Sequence, residues 1–169
     1  MIHGFTLIEV LIYIALFSFA VTSFVLFSLS VSYGRNKNYA VSEAQANARI
    51  VLEFVERNIR SAILLDIASS TFNADPGVLA LVTASTTLNP TIIDLDSDDG
   101  RMRITQGTSS PVFITSNKVK VTRLIFQNLT GSSTRAHIHF DATVGYRNIS
   151  GDHEYDYSQN IQSGASIRR

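Results

Sequence analysis

At 169 residues the chain is long enough for one domain, or for a small domain with an appendage. Its 14 basic residues balance 14 acidic ones and 45% of its residues are apolar, which excludes a disordered chain and leaves no general electrostatic footprint for nucleic acid. The absence of cysteine excludes a disulfide scaffold, a thiolate metal site and a cysteine nucleophile.

The balanced totals hide an asymmetry. Between residues 5 and 33, 21 of 29 residues are apolar, and Glu9 is the only charged residue before Arg35. Residues 10–29 carry no formal charge, and as a helix they would extend about 30 Å, the thickness of a bilayer's hydrocarbon core. A buried core helix is the alternative, but the remaining chain is too small to cover all sides of it. The leader Met1-Ile2-His3-Gly4 lacks the basic start of a secretory signal, and the apolar run is longer than a signal's hydrophobic region, so the segment is expected to stay with the mature protein. Arg35 and Lys37 follow the run and no Lys or Arg precedes it; the positive-inside rule alone would keep the distal part in the cytoplasm.

Glu9 is the anomaly, because a carboxylate in the first turns of a membrane-entering helix is costly and calls for a partner. Three readings fit it: a wet position among lipid headgroups, an anion favoured by the N-terminal helix dipole, or an ion pair with the α-amine of a neighbouring chain. The surrounding heptapeptide Gly4-Phe5-Thr6-Leu7-Ile8-Glu9-Val10, running straight into the apolar helix, resembles the class III signal of type IV prepilins and of the pseudopilins of type II secretion and DNA-uptake machines. The resemblance is specific over residues 4–30 and architectural beyond. It implies that a prepilin peptidase cleaves after Gly4 and methylates the amine of Phe5, and that Glu9, the fifth residue of the mature chain, acts in inter-subunit assembly. It also implies a leader facing the cytoplasm, a single pass through the inner membrane, and a head facing the periplasm or exterior, which overrides the two-charge vote. The leader lacks the family's usual basic residue and has His3 instead.

Past the membrane, Val41, Ala44, Ala48, Val51, Val55, Ile59 and Ala62 recur at spacings of three and four, a helical stripe, and Arg49–Glu53, Glu53–Arg57 and Glu56–Arg60 are i,i+4 pairs. The helix is therefore expected over residues 5–67, about 95 Å, with Gly34 as a soft point rather than an end. This gives a cleaved leader at 1–4, a transmembrane and filament-core helix at 5–33, an amphipathic continuation at 34–67 and a β head at 68–169. Strands are expected at 78–83, 91–95, 102–106, 112–114, 119–129 and 136–146, separated by Gly, Asn, Asp, Ser and Pro clusters. The strand beginning at Val119 is expected to pack its branched residues on the helix. From Ser150 onward the chain is mostly polar, and only loops with one short strand are expected. The fold class is α+β and pilin-like: a long N-terminal helix packed against a C-terminal antiparallel sheet.

Few residues in the head suggest chemistry. Asp94, Asp96, Asp98 and Asp99 invite calcium, but counting from Asp94 puts Gly100 seventh and Thr105 twelfth, which is not an EF-hand loop; a tight turn through Ser97-Asp98-Asp99-Gly100 is the simpler reading. His137 and His139 share a strand face, and with His153, Glu154 or Asp156 could offer a zinc set; an exposed strand face that carries polar rings is the preferred reading. Gly107–Pro111 and Gly131–Thr134 read as turns. No catalytic, cofactor-binding or metal-ligating residue is assigned, and no cofactor is expected.

The expected function is a non-enzymatic subunit of a type IV pilus-like or type II secretion filament. Major pilins often staple their C-terminal region with a disulfide, so the missing cysteines and the long strand from Val119 resemble a minor pilin or pseudopilin more closely. The implied partners are prepilin peptidase, other pilin or pseudopilin subunits through the helix, and an inner-membrane assembly platform. An adhesive or DNA-binding minor pilin of a DNA-uptake pilus is the alternative, although the head's basic residues are scattered. A membrane-anchored metal-dependent enzyme is the remote one.

Overall fold

The computed structural model describes residues 6–131 and 135–168. A single helix, α1, spans Leu7–Ser61 without interruption at Gly34, about 82 Å for its 55 residues. Thr6 is its N-cap, with extended backbone and a side chain that accepts from the Glu9 N–H. Ser18 and Thr22 return their hydroxyls to the carbonyls of Ile14 and Ser18, both at 2.8 Å, so these two polar side chains of the apolar run are satisfied inside the helix.

The helix was expected to continue to residue 67 and stops six residues earlier. Ala62 turns extended, its N–H held by the Asn58 and Ile59 carbonyls, and Leu64–Leu65 form a short strand, β1. A helical spacing persists through Ala62, but Leu64 and Leu65 find β partners in Val82 and Leu81. Tertiary pairing thus overrides helix propensity here.

The remaining strands are β2 (Leu79–Val82), β3 (Thr91–Leu95), β4 (Met102–Gln106), β5 (Val112–Phe113), β6 (Val119–Asn128), β7 (His137–Tyr146) and β8 (Ser158–Ser166). They form two antiparallel sheets rather than one, in the orders β1-β2-β3-β4-β5 and β6-β7-β8. Residues 73–77 join them: Gly77 and Asn73 donate their N–H groups to the Leu124 and Phe126 carbonyls, and Asp75 accepts from the Leu124 N–H. The outer edge of β6 is thereby occupied. One core runs through both sheets and the helix, with Val51, Val55 and Ile59 meeting Leu79, Ile93, Phe126 and Phe140.

Within the second sheet β8 and β7 run closest to α1 and β6 farthest, while Val119, Val121, Leu124 and Phe126 of β6 share the core with the helix, as expected for the Val119 strand. The alternation of β6 breaks. Val119 and Val121 face inward, then Leu124 and Phe126, because a bulge between Val121 and Arg123 absorbs one residue and resets the phase. The stripe on α1 is buried at Ala44, Ala48, Val51, Val55, Ile59 and Ala62. At its lower end Ala40 is buried and Val41 only half-buried, since Ala40 lies one full turn below Ala44. Asn47 is buried as well; its amide donates to the Glu43 carbonyl and its oxygen accepts from the Ser116 N–H, both at 2.9 Å. Of the i,i+4 pairs, Glu56–Arg60 closes at 2.8 Å, while Arg57 lies over the Phe54 ring.

The result is an α+β, pilin-like arrangement: a long helix whose first half projects bare and whose second half is clasped by a β head.

Candidate functional site: the N-terminal helix

The N-terminal segment is expected to carry the chemistry of processing and assembly. Gly4 and Phe5 lie outside the described residues. Glu9 lies inside them, as the third residue of the helix beyond its cap. Its N–H donates to Thr6 Oγ1 at 3.4 Å, and Thr6 Oγ1 donates to Glu9 Oε2 at 3.5 Å. Thr6-x-x-Glu9 is thus a variant of the capping box, in which the carboxylate meets the cap hydroxyl. The Thr-x-x-Glu spacing was visible in the sequence and is the signal that reading Glu9 only as an intermolecular partner passes over. Oε1 of Glu9 has no partner among the described residues.

Beyond Glu9 the helix is bare. Leu7 is 82% exposed, Phe19 75% and Phe24 71%, and no residue of α1 before Ala40 is buried. The helix is long and apolar enough to cross a membrane, and none of its most apolar window is covered by the rest of the chain. A soluble core helix of this composition would be enclosed, so the buried-helix alternative is overturned by geometry.

The head's titratable clusters are structural. Asp94 and Arg103 face each other across β3 and β4 and form a two-pronged ion pair at 2.8 and 2.9 Å. Arg103 also reaches Asp96 at 2.8 Å. Asp99 receives Arg101 at 2.6 Å and Arg147 at 3.2 Å. The Arg101 hydrogen bond, then that of Arg147, holds the Asp99 carboxyl below the usual carboxylate range. Gly100, at φ +63°, closes the turn as its sequence position foretells. Three guanidinium groups therefore meet the carboxylates of Asp94, Asp96 and Asp99, while Asp98 accepts from the Ser97 hydroxyl at 3.4 Å.

The zinc set is not assembled. His137 and His139 sit on the outer face near the start of β7, with His137 Nδ1 hydrogen-bonded to Ser166 Oγ at 2.8 Å. His153, Glu154 and Asp156 follow the other end of β7, about 24 Å along the strand from His139. Among the described residues no three His, Asp or Glu side chains converge on a metal-sized space.

Comparison with known proteins bears on the N-terminus alone. No curated protein and no solved structure matches the chain. Residues 1–25 match the prokaryotic N-terminal methylation motif, which covers Gly4, Phe5 and Glu9 and runs into the bare helix. The chain therefore carries the prepilin-type N-terminal signal of type IV pilin- and pseudopilin-type precursors.

Proposed function

We propose that the chain is a non-enzymatic structural subunit, a minor pilin or pseudopilin, of a type IV pilus-like or type II secretion filament, cleaved after Gly4 and N-methylated on Phe5. The observation that carries this reading is the methylation motif leading into a helix whose apolar surface nothing in the chain covers. Such a surface needs a solvent other than water. Lipid supplies it while the subunit waits in the inner membrane with its head outside the cytoplasm. Neighbouring helices supply it after an assembly platform draws the subunit out, and the contact that drives packing is apolar area.

Within that filament the amine of Phe5 and the carboxylate of Glu9 on adjacent subunits set the register. Both charges are expensive alone in a low-dielectric core and offset each other when paired. Replacing Glu9 by alanine leaves insertion intact and lowers incorporation. Against the DNA-binding reading, Arg101, Arg103 and Arg147 are held by aspartates and Lys118 lies beside Glu43 and Tyr39, which withdraws these four from a phosphate-binding surface.

The test is intact mass and N-terminal sequencing of protein recovered from membranes that contain prepilin peptidase. Loss of the first four residues and one added methyl on Phe5 is the expected result; an unaltered N-terminus would refute entry into the pathway.

A further inference from the structure

Tyr39, Tyr146 and Tyr155 join the helix to the head, with Tyr33 six residues below Tyr39 and Tyr157 reaching Gln45 six residues above it. Tyr33 and Tyr39 are on α1, and Tyr146, Tyr155 and Tyr157 are on the part of the head beside it. Tyr39 and Tyr146 meet edge to face at 6.0 Å, and Tyr146 and Tyr155 stack at 5.6 Å. Lys118 lies over the Tyr39 ring and hydrogen-bonds its hydroxyl. β7 runs down α1 toward the bare half of the helix and β8 runs back up, so the connection between them, residues 147–157, is the lowest part of the head.

That connection carries Ile149, the most exposed large apolar side chain described, at 88%. It is not a slack loop. Asn148 donates to the Asp152 carbonyl at 2.9 Å and to Asp156 at 2.8 Å, and accepts from the Gly151 N–H at 2.8 Å. The turn is braced, and it holds an isoleucine in the open.

The level at which this foot sits follows from helix arithmetic. Tyr39, which Tyr146 of the head meets, lies five residues beyond Gly34, the last residue of the uncharged run, and so about 7.5 Å along the axis. The headgroup layer on one side of a bilayer is about 5–7 Å thick. The uncharged run from Val10 to Gly34 would be about 37 Å long against a core of about 30 Å, an excess that a membrane helix accommodates by tilting. Tilt toward the covered face of α1 lowers the foot onto the bilayer. Tyrosine is the residue that favours this depth, its ring apolar and its hydroxyl wet.

We infer that residues 147–157 form a membrane-resting foot, with Ile149 inserted at the interface of the bilayer that α1 crosses, which orients the head until the subunit leaves the membrane. The contact is apolar. Within the foot Asp152, Glu154 and Asp156 outnumber Arg147, whose guanidinium is held by Asp99, so anionic lipid is not what the foot recognises. The inference rests on the membrane-anchored state of the proposed subunit and not on its processing.

The absence of cysteine gives a direct test on the full chain in phosphatidylcholine vesicles. Ile149→Cys, Leu129→Cys at the opposite end of the head, and Leu16→Cys within the span each carry one environment-sensitive fluorophore, read with and without bromine on the lipid acyl chains. Quenching is expected at positions 16 and 149 and not at 129, with the free thiol at 149 labelled about tenfold more slowly than that at 129. Quenching at 16 without quenching at 149 overturns the foot while leaving the anchor. Slow labelling at 149 without quenching also overturns it, because a second copy then covers the loop. Quenching at 149 that requires added phosphatidylglycerol overturns the apolar contact. Absence of quenching at 16 removes the anchor and the foot together.

Discussion

The buried stripe on α1 is tapered, and the taper can be tested. Reading upward it runs Ala40, Ala44, Ala48, then Val51, Val55, Ile59. At the base three alanines and the hydrogen-bonded Asn47 leave no apolar bulk larger than a methyl group on the stripe, whereas the larger residues above fill the space that Phe126 and Phe140 also occupy. Ala44 has no exposed surface. Ala44→Leu adds three carbons where there is no room for them, an overpacking cost of about 1–3 kcal/mol. Ile59→Ala removes three carbons at the wide end, also at zero exposure, and should cost about 2–5 kcal/mol through lost burial and a cavity. Ala46→Leu, one residue pair away on the exposed face, is the control and should stay within about 0.5 kcal/mol. Urea unfolding of the full chain in detergent reads the differences, followed by far-ultraviolet circular dichroism and tyrosine fluorescence, since the chain has no tryptophan. If Ala44→Leu unfolds at the same urea concentration as Ala46→Leu, the head does not press on the alanine stretch and the taper argument is refuted.

Two further outcomes are expected. Gly107 has φ +56° and an added Cβ would lie 2.2 Å from the Thr87 carbonyl oxygen, whereas Gly131 has φ +53° with open space around it; Gly107→Ala should lose at least about 1 kcal/mol more than Gly131→Ala in the same unfolding assay. Asp99, held below its unperturbed value of 3.8 by Arg101 and then Arg147, contributes stability that is present above that value and is lost as pH falls through the depressed one. Asp99→Asn should therefore lower the urea midpoint at neutral pH, and its difference from the parent should shrink below pH 3.8; a difference that stays constant with pH refutes the ion-pair account.

Legibility followed the strength of the periodic signal. Strands 91–95 and 102–106 are found where the alternation placed them, because Thr91, Ile93, Met102 and Ile104 all point inward at a spacing of two. β8 was not legible. Its inward positions are Gln159, Ile161, Ser163 and Ala165, with one large apolar residue among them. What holds it is pairing along almost all of β7 and polar contact with the helix, Ser163 to Glu56 and Tyr157 to Gln45. Neither leaves a hydrophobic pattern in sequence. The division into two sheets was hidden for a similar reason, since it depends on residues 73–77 occupying the edge of β6 through backbone hydrogen bonds. At the N-terminus the reverse holds: the apolar run and Glu9 stand out in the sequence, and the Thr6-x-x-Glu9 spacing that makes the cap is there as well.

That cap sharpens the question of what Glu9 does. A carboxylate at the third helical position is stabilised by the helix N-terminus, by about 0.3–1 kcal/mol, and here also by the Thr6 hydroxyl. It needs no second chain in order to sit where it does, so its mere presence does not argue for an ion pair. The bonds to Thr6 are long, however, and Oε1 is unfilled among the described residues, which leaves room for a cation without dismantling the cap. Glu9→Gln separates the two roles. Glutamine serves in a capping box as glutamate does, so a purely local role predicts normal incorporation into filaments. An inter-subunit pair predicts failure as severe as that of Glu9→Ala, because the partner amine would be left charged and uncompensated in the filament core at a cost of about 3–5 kcal/mol. Both variants should insert into the membrane equally well. Filament incorporation measured side by side with membrane recovery therefore decides the matter: normal incorporation of Glu9→Gln beside loss with Glu9→Ala would reduce Glu9 to a helix cap and remove it from the assembly mechanism.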